Sequence, residues 1–266
     1  MNKLIIPILL LCWQASGQVG TLGAGSFGAL RGVSSTSTAL NPTNLPGASP
    51  VAWFVAGDYY TNGSVPTLPN RWTANASWAL TNSTGFDTNY PILISGMNGF
   101  QGLSIDGDKN QSLSSVNYTQ TSPYEVVLAL QSKKFGTTSW NTIMDGQSAN
   151  RPWFGGGPTD DGELQMSRGA YLVSTGTRPG DRYFVLDVIF NGLNSRMFTN
   201  NVLIASGNAS DNPSSGVTLG RFYTRNSPTY SCSNVFLEIA AYSQTNSTEN
   251  RSNLFWYLTN KYAITP

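Results

Sequence analysis

The stretch Val235-Phe-Leu-Glu-Ile-Ala-Ala-Tyr242 decides the fold. Read as a strand, it places Val235, Leu237, Ile239 and Ala241 on one face, and Phe236, Glu238, Ala240 and Tyr242 on the other. Both faces are largely apolar, so the strand is predicted to be central and covered on each side. Downstream, Asn246-Ser-Thr-Glu249 has the spacing of a capping box, with Asn246 as the cap. Leu254, Tyr257, Leu258 and Lys261-Tyr262 then recur at helical spacing, which predicts one C-terminal helix packed on the sheet.

Upstream, from Pro50, the same texture repeats. Val51–Val55, Ile92–Ser95, Gly102–Ile105, Glu125–Leu130, Thr142–Met144, Leu164–Met166, Tyr183–Phe190, Arg196–Phe198 and Val217–Leu219 are short apolar or alternating runs that read as strands. Between them lie turn dipeptides: Asn62-Gly63, Asn98-Gly99, Asp106-Gly107, Asp145-Gly146 and Asn191-Gly192. This spacing predicts an all-β, antiparallel two-sheet sandwich.

The N-terminal part has a different character. Met1-Asn-Lys3 followed by the apolar run Leu4–Trp13 and the small residues Ala15-Ser-Gly17 has the layout of a signal peptide cleaved near Gly17. The run is too short to span a bilayer, so the mature chain is expected to be exported with no transmembrane segment. Cleavage removes Cys12 and leaves Cys232 as the one thiol, expected to be a small buried hydrophobe. Residues 18–47 are rich in Gly, Ser, Thr and Ala and read as a flexible leader or linker, which leaves 48–266 as one folded domain.

Composition narrows function. A net charge of +1 on 266 residues, with 11% charged side chains, argues against a nucleic-acid partner, which demands a basic footprint. The chain contains no histidine. Ser-His-Asp and Cys-His nucleophile systems and His-ligated zinc are therefore excluded, and any catalysis must rest on carboxylates, Tyr, Lys or Arg.

The order of motifs resembles the concanavalin A-like lectin/glucanase superfamily, in particular its laminin-G-like jelly-roll modules. The resemblance opens at Pro50-Val-Ala-Trp53, Asp58, Asn62-Gly-Ser64 and Trp72, and continues through Gly102-Leu-Ser-Ile-Asp-Gly107. It includes the hairpin from Asn191-Gly192 through Asn200-Asn-Val202 to Ile204-Ala-Ser-Gly207, and then Val217-Thr-Leu-Gly220. It closes on Phe236-Leu-Glu-Ile-Ala-Ala-Tyr242 and Tyr257-Leu-Thr-Asn-Lys-Tyr262. Two positions depart from the pattern: Asn201 replaces a turn glycine, and Thr73-Ala-Asn-Ala-Ser77 replaces an Asp-x-Ser-Gly-Asn loop. The resemblance implies a jelly-roll sandwich over roughly residues 48–265.

Glycoside hydrolysis needs two carboxylates flanking one sugar bond. The sandwich glucanases carry theirs as Glu-x-Asp-x-Glu on one strand, and no such run occurs here. Glu125 and Glu238 each stand alone on a strand, Asp187 sits between Leu186 and Val188, and Glu238 is expected to have a structural role. Asp106, Asp108 and Asn110 offer oxygens at alternate positions, the spacing of a calcium loop, although an Asp-Gly turn explains the same residues without a metal. Sugar faces combine exposed aromatic platforms with polar neighbours, and Trp140, Arg151, Trp153 and Tyr171 lie in or beside loop-like stretches. Trp153 is the expected exposed platform, whereas Trp53, Trp72 and Trp256 are expected to be packing residues. Eight sequons occur, at Asn62, Asn75, Asn82, Asn110, Asn117, Asn208, Asn246 and Asn250.

These residues point to an exported, non-catalytic carbohydrate-binding or adhesive module at the cell surface or outside the cell. Its expected partner is a glycan or surface molecule, with homo-oligomerisation or a larger assembly multiplying weak sites. The alternatives are a structural protein of an envelope or virion, and a carboxylate-dependent glycosidase.

Overall fold

A computed structural model describes residues 40–62, 65–81, 90–109, 111–134, 141–147, 152–156, 163–177, 179–222 and 232–266. The signal-peptide reading and most of the leader lie outside the described residues. Along the chain run β1 (Pro50–Val55), β2 (Tyr60–Asn62), β3 (Val65–Leu68), β4 (Leu80–Thr81), β5 (Ile92–Ser95) and β6 (Gln101–Ile105). Next come β7 (Leu113–Gln120), β8 (Tyr124–Lys134), β9 (Asn141–Gly146), β10 (Trp153–Gly156), β11 (Glu163–Ser167) and β12 (Tyr171–Thr177). The last strands are β13 (Tyr183–Phe190), β14 (Ser195–Thr199), β15 (Val202–Gly207), β16 (Ser214–Leu219) and β17 (Ser233–Tyr242), followed by helix α1 (Thr248–Tyr262).

The strands form two antiparallel sheets. Sheet A has the order β15-β14-β13-β8-β17-β6-β5, with β1 also paired to β17, and sheet B the order β12-β11-β10-β9-β16-β7-β4-β3-β2. Consecutive strands such as β7 and β8, or β16 and β17, fall in different sheets, so the chain repeatedly crosses the sandwich. This is the all-β, antiparallel two-sheet sandwich with a C-terminal helix that the sequence predicts. All ten predicted strands are present, and β13 has the predicted bounds.

Alternation explains how β8 and β13 are buried on both sides. Tyr124, Val126, Leu128 and Leu130, with Phe184, Leu186, Val188 and Phe190, point between the sheets. There they meet Leu113, Met144, Phe154, Met166 and Leu219 of sheet B. The opposite face of the same strands offers Val127, Ala129 and Val185 to Leu254, Phe255, Leu258 and Tyr262 of α1. Covering a side chain such as Leu254 or Leu258 in this way stabilises the domain by about 2 kcal/mol each.

Strand β17 is central, as predicted, but its faces change partway along. Phe236 lies opposite Leu130 and Glu238 opposite Ala129, so Leu237 is the extra residue of a bulge. Phe236, Ile239 and Ala241 therefore share the inter-sheet core, while Leu237, Ala240 and Tyr242 face α1. A strict two-residue period had placed Leu237 beside Ile239.

Three boundaries also differ from the sequence reading. Ser247 caps α1, its side chain accepting from Asn250 N at 3.1 Å, whereas Asn246 is drawn away to a carboxylate. Residues 40–47 belong to the compact unit: Leu45 is 4% exposed, and Tyr242 Oη donates to the Pro42 carbonyl at 3.2 Å. Asp145-Gly146 continues β9 instead of turning, with Asp145 opposite Trp153 and Thr218. At two other turns the expected chemistry holds, whereas Gly63 of Asn62-Gly63 lies outside the described residues. Asn98 and Gly99 both have positive φ between β5 and β6, and Asn200 and Asn201 do so between β14 and β15. Asparagine tolerates that region, which is why Asn201 serves where the resemblance expects glycine.

Candidate functional site

The outer face of sheet A, beneath α1, holds three of the buried acids, Glu125, Asp187 and Glu238. Glu238 is 1% exposed and projects from β17 among four donors. It accepts from Trp53 Nε1 at 2.7 Å, Tyr257 Oη at 3.0 Å, Tyr262 Oη at 2.7 Å and Lys261 Nζ at 2.6 Å. Two elements supply these donors: β1 lies alongside β17, and α1 places Tyr257 and Lys261 one turn apart, with Tyr262 next to Lys261, above them. Burial first, and Glu238 second, hold the Tyr257 and Tyr262 hydroxyls well above the usual tyrosine range. The hub is closed by aromatic faces. Lys261 Nζ lies 5.5 Å from the Phe100 ring centroid, and the Arg71 guanidinium lies 5.2 Å over Trp53 while pairing with Asp58. This arrangement gives Glu238 the structural role expected of it, locking helix to sheet.

A second acidic cluster lies further along the same face. Glu125 on β8 accepts from Asn246 N at 2.6 Å and Asn246 Nδ2 at 3.2 Å. Asp187 on β13 is the nearby carboxylate, and Arg251 of α1 is the nearby cation, its guanidinium 4.2 Å from the Phe198 ring centroid. Burial pushes the Glu125 carboxyl up to about 7, against the opposing pull of Asn246 and Arg251. Asp187 is raised well above the ordinary range by burial and then by Glu125. The sequence reading treated these two acids as solitary, and the β8–β13 register brings them together.

The predicted sugar contacts fare differently. Trp153 is 2% exposed and is not a surface platform. It lies in β10, stacks on Phe222 with centroids 5.7 Å apart, and donates from Nε1 to Thr142 Oγ1 at 3.0 Å. Its segment reads as a loop because of its glycines, yet Gly155 sits where a Cβ would fall 1.9 Å from Asn141 O. The glycine is there to let β9 and β10 approach. Trp140 and Arg151 lie outside the described residues, and of Tyr171 only the backbone, at the start of β12, is described.

Conversely, Trp256, expected to pack, is 55% exposed on α1. It is held edge-on against Phe255 at 5.4 Å, with Asn253 three residues before it and the exposed Asn260 four after it. A helix advances about 100° per residue, so Trp256 sits roughly opposite the buried Leu254 and Leu258. That signal was present in the sequence.

In the calcium-loop candidate, Asp106 Oδ1 accepts from Asp108 N at 3.0 Å, and Oδ2 pairs with Lys109 Nζ at 3.2 Å. The loop is a single 3-10 turn over Gly107–Lys109, and Asn110 lies outside the described residues. Among the described residues no three His, Cys, Asp or Glu side chains are grouped to hold a metal. Of the sequons, Asn246 and Asn250 are buried, the latter donating to the Pro46 carbonyl at 2.9 Å, while Asn208 is exposed. Cys232 is buried, as expected.

The sequence matches no protein-family model and no curated protein. Among solved structures the chain is similar to Trypanosoma rangeli sialidase in complex with the inhibitor DANA, at TM-score 0.55 and 11% identity, covering 85% of this chain and 37% of that one. It is similar to the botulinum neurotoxin serotype G binding domain at TM-score 0.53 and 10% identity, covering 78% and 51% of the two chains. The serotype C1 binding domain gives 0.51 and 12%, covering 79% and 52%. At these identities the likeness is one of fold, and this chain spans between about a third and a half of those proteins. Fold and site together define a β-sandwich module whose helix is fastened to one sheet by buried acids. No helix among the described residues is long and apolar enough to cross a membrane.

Proposed function

We propose that this domain is an exported, non-catalytic carbohydrate-binding or adhesive surface module of the laminin-G-like, concanavalin A-like type. The observation that carries the reading is Trp256, 55% exposed on α1, edge-on against Phe255 and between Asn253 and Asn260 in sequence. An indole face flanked by neutral amides suits the C–H face and hydroxyls of a sugar. The low-charge composition suits a neutral or weakly charged glycan. The acids Glu125, Asp187 and Glu238 are buried under α1, away from any ligand surface. Similarity to a sialidase crystallised with its inhibitor and to toxin binding domains supports a glycan or receptor partner by analogy of fold alone.

The test is a glycan array run with and without calcium on the wild-type chain and on Trp256→Ala, with Trp140→Ala and Arg151→Ala as the sequence-derived alternatives. Binding lost in Trp256→Ala supports the reading, and a calcium requirement adds Asp106, Asp108 and Asn110. Absence of any glycan signal overturns it. Release of reducing ends from a polysaccharide panel overturns the non-catalytic part and favours the glycosidase.

One observation favours the assembly reading. Strand β15 is terminal in sheet A, and Val202 and Leu203 on it are 64% and 50% exposed, with Leu193 nearby at 76%. A terminal strand carrying exposed apolar side chains is a site for self-association. Oligomers in light scattering that dissociate in Leu203→Lys support assembly, and a wild-type monomer at all concentrations removes it.

A further inference from the structure

The cluster around Glu125 and Asp187 plays no part in the glycan reading, and its chemistry points elsewhere. In the β8–β13 ladder Glu125 lies opposite Ile189 and Asp187 opposite Val127, so the two carboxylates occupy one face on a diagonal between neighbouring strands. Glu125 is 0% and Asp187 8% exposed. Every packed element contributes to their surroundings. From α1 comes Arg251, 9% exposed, while Glu249 on that helix faces solvent. From β17 comes Tyr242, opposite Glu125, with Glu238 further along and already saturated by its four donors. From β14 come Phe198, opposite Asp187, and Arg196, which is exposed. Residues 40–47 bring the carbonyls of Pro42 and Pro46 and no charge.

The charge count does not close if both acids are ionised. Two buried carboxylates face one buried guanidinium, and an uncompensated buried charge costs several kcal/mol. The hydrogen-bond count has the same defect. Glu125 has both oxygens occupied by Asn246, but Asp187 Oδ1 and Asn246 Oδ1 are buried acceptors without a donor, and Arg251 Nε is a buried donor without an acceptor. A proton on Asp187 converts one of the two surplus acceptors into a donor and balances the charge in the same step.

We propose that Asp187 carries a proton in the folded domain, and that the Glu125–Asp187 pair is a pH-operated latch that holds α1 on sheet A in acid and neutral solution and loosens it in alkaline solution. Burial raises both carboxyls, Glu125 to about 7 and Asp187 well above the ordinary range. The folded state therefore binds more protons than the unfolded chain, whose carboxyls titrate near about 4. The stabilisation is complete below about pH 4 and is lost progressively as pH rises from there through about 7 and beyond. Tyr242 titrates far above this window and does not contribute to it.

The test is hydrogen exchange of the α1 amides in the full chain at pH 6 and pH 9, corrected for base catalysis. Protection at Leu254 and Leu258 is expected to fall about tenfold or more in the wild type, and within about threefold in Asp187→Asn, which is neutral at every pH. Equal or rising protection at pH 9 in the wild type, or an unchanged fall in Asp187→Asn, overturns the latch. Should that variant fail to fold, the isotope-edited infrared difference spectrum of the wild type decides. A buried carboxylic-acid stretch present at pH 6 and lost at pH 9 supports the proposal, and its absence at pH 6 overturns it.

Discussion

Trp53 Nε1 donates to Glu238 Oε1 at 2.7 Å, joining the domain's first strand to its last. The same carboxylate accepts from Lys261 Nζ at 2.6 Å, so a single acid ties β1, β17 and α1 together. Its removal strands four donors, one of them a cation only 17% exposed. Glu238→Ala is expected to cost about 3 kcal/mol or more, measured as a lower urea midpoint. Glu238→Gln keeps an acceptor oxygen and is expected to cost less. Equal losses in the two variants would mean that the hydrogen bonds contribute little beyond the charge.

The two tryptophans with exchanged environments separate stability from recognition. Trp153→Ala opens a cavity beside Phe222 and frees Thr142 of a partner, and is expected to cost about 3–5 kcal/mol. Trp256→Ala is expected to change stability by no more than about 0.5 kcal/mol. Chemical denaturation together with glycan titration of the folded fraction checks both. Trp153→Ala should bind as the wild type does, and Trp256→Ala should not bind.

Two small-residue exchanges have opposite expected signs. Ala263 ends α1 at φ +50 while Ile264 N donates to the Thr259 carbonyl at 3.0 Å, a left-handed cap that glycine adopts without strain. Ala263→Gly should raise stability by about 0.5–1 kcal/mol. Gly155→Ala drives a methyl into Asn141 O and should be among the most damaging substitutions in sheet B. Thermal melts of the two proteins give the comparison directly.

Alkaline titration reports the buried hydroxyls. Burial raises Tyr59 to about 12, and raises Tyr242, Tyr257 and Tyr262 further. Their folded values exceed those of the unfolded chain, so their contribution is intact below about pH 10 and is lost as pH climbs beyond it. Phenolate absorbance should therefore show a late step that coincides with loss of the near-ultraviolet circular dichroism of the packed aromatics. A smooth titration of all tyrosines near pH 10 with the fold intact would contradict this placement.

Legibility from sequence followed burial on two faces. Strands β13 and β17 stand out because central strands carry apolar residues at consecutive positions, and ten such runs were enough for the class of fold. Strand β10 was missed because Trp153-Phe-Gly-Gly156 has a loop's composition. Its glycine is explained by the close approach of Asn141, a neighbour no local window contains. The acidic pair was missed for a related reason. A search for catalytic or linked acids along one strand looks two or four residues away, whereas Glu125 and Asp187 meet across strands, in a register set by the whole ladder. Asn246 misled as a cap because its side chain had a stronger partner in Glu125. Trp256 was misassigned by residue type when its helical phase already placed it outward.

The position of β17 in sheet A also governs how the domain can assemble in time. It pairs with β8, β6 and β1, so the middle of the sheet is built from the strand that occurs last in sequence. Pairing β1 with β17 closes a loop that includes almost all of the intervening chain, and such loops form only when many contacts are gained together. The domain is therefore expected to fold slowly, in the millisecond-to-second range of all-β proteins with distant pairings. A translocating or nascent chain would stay unfinished at the centre of its sheet until residues 233–242 arrive.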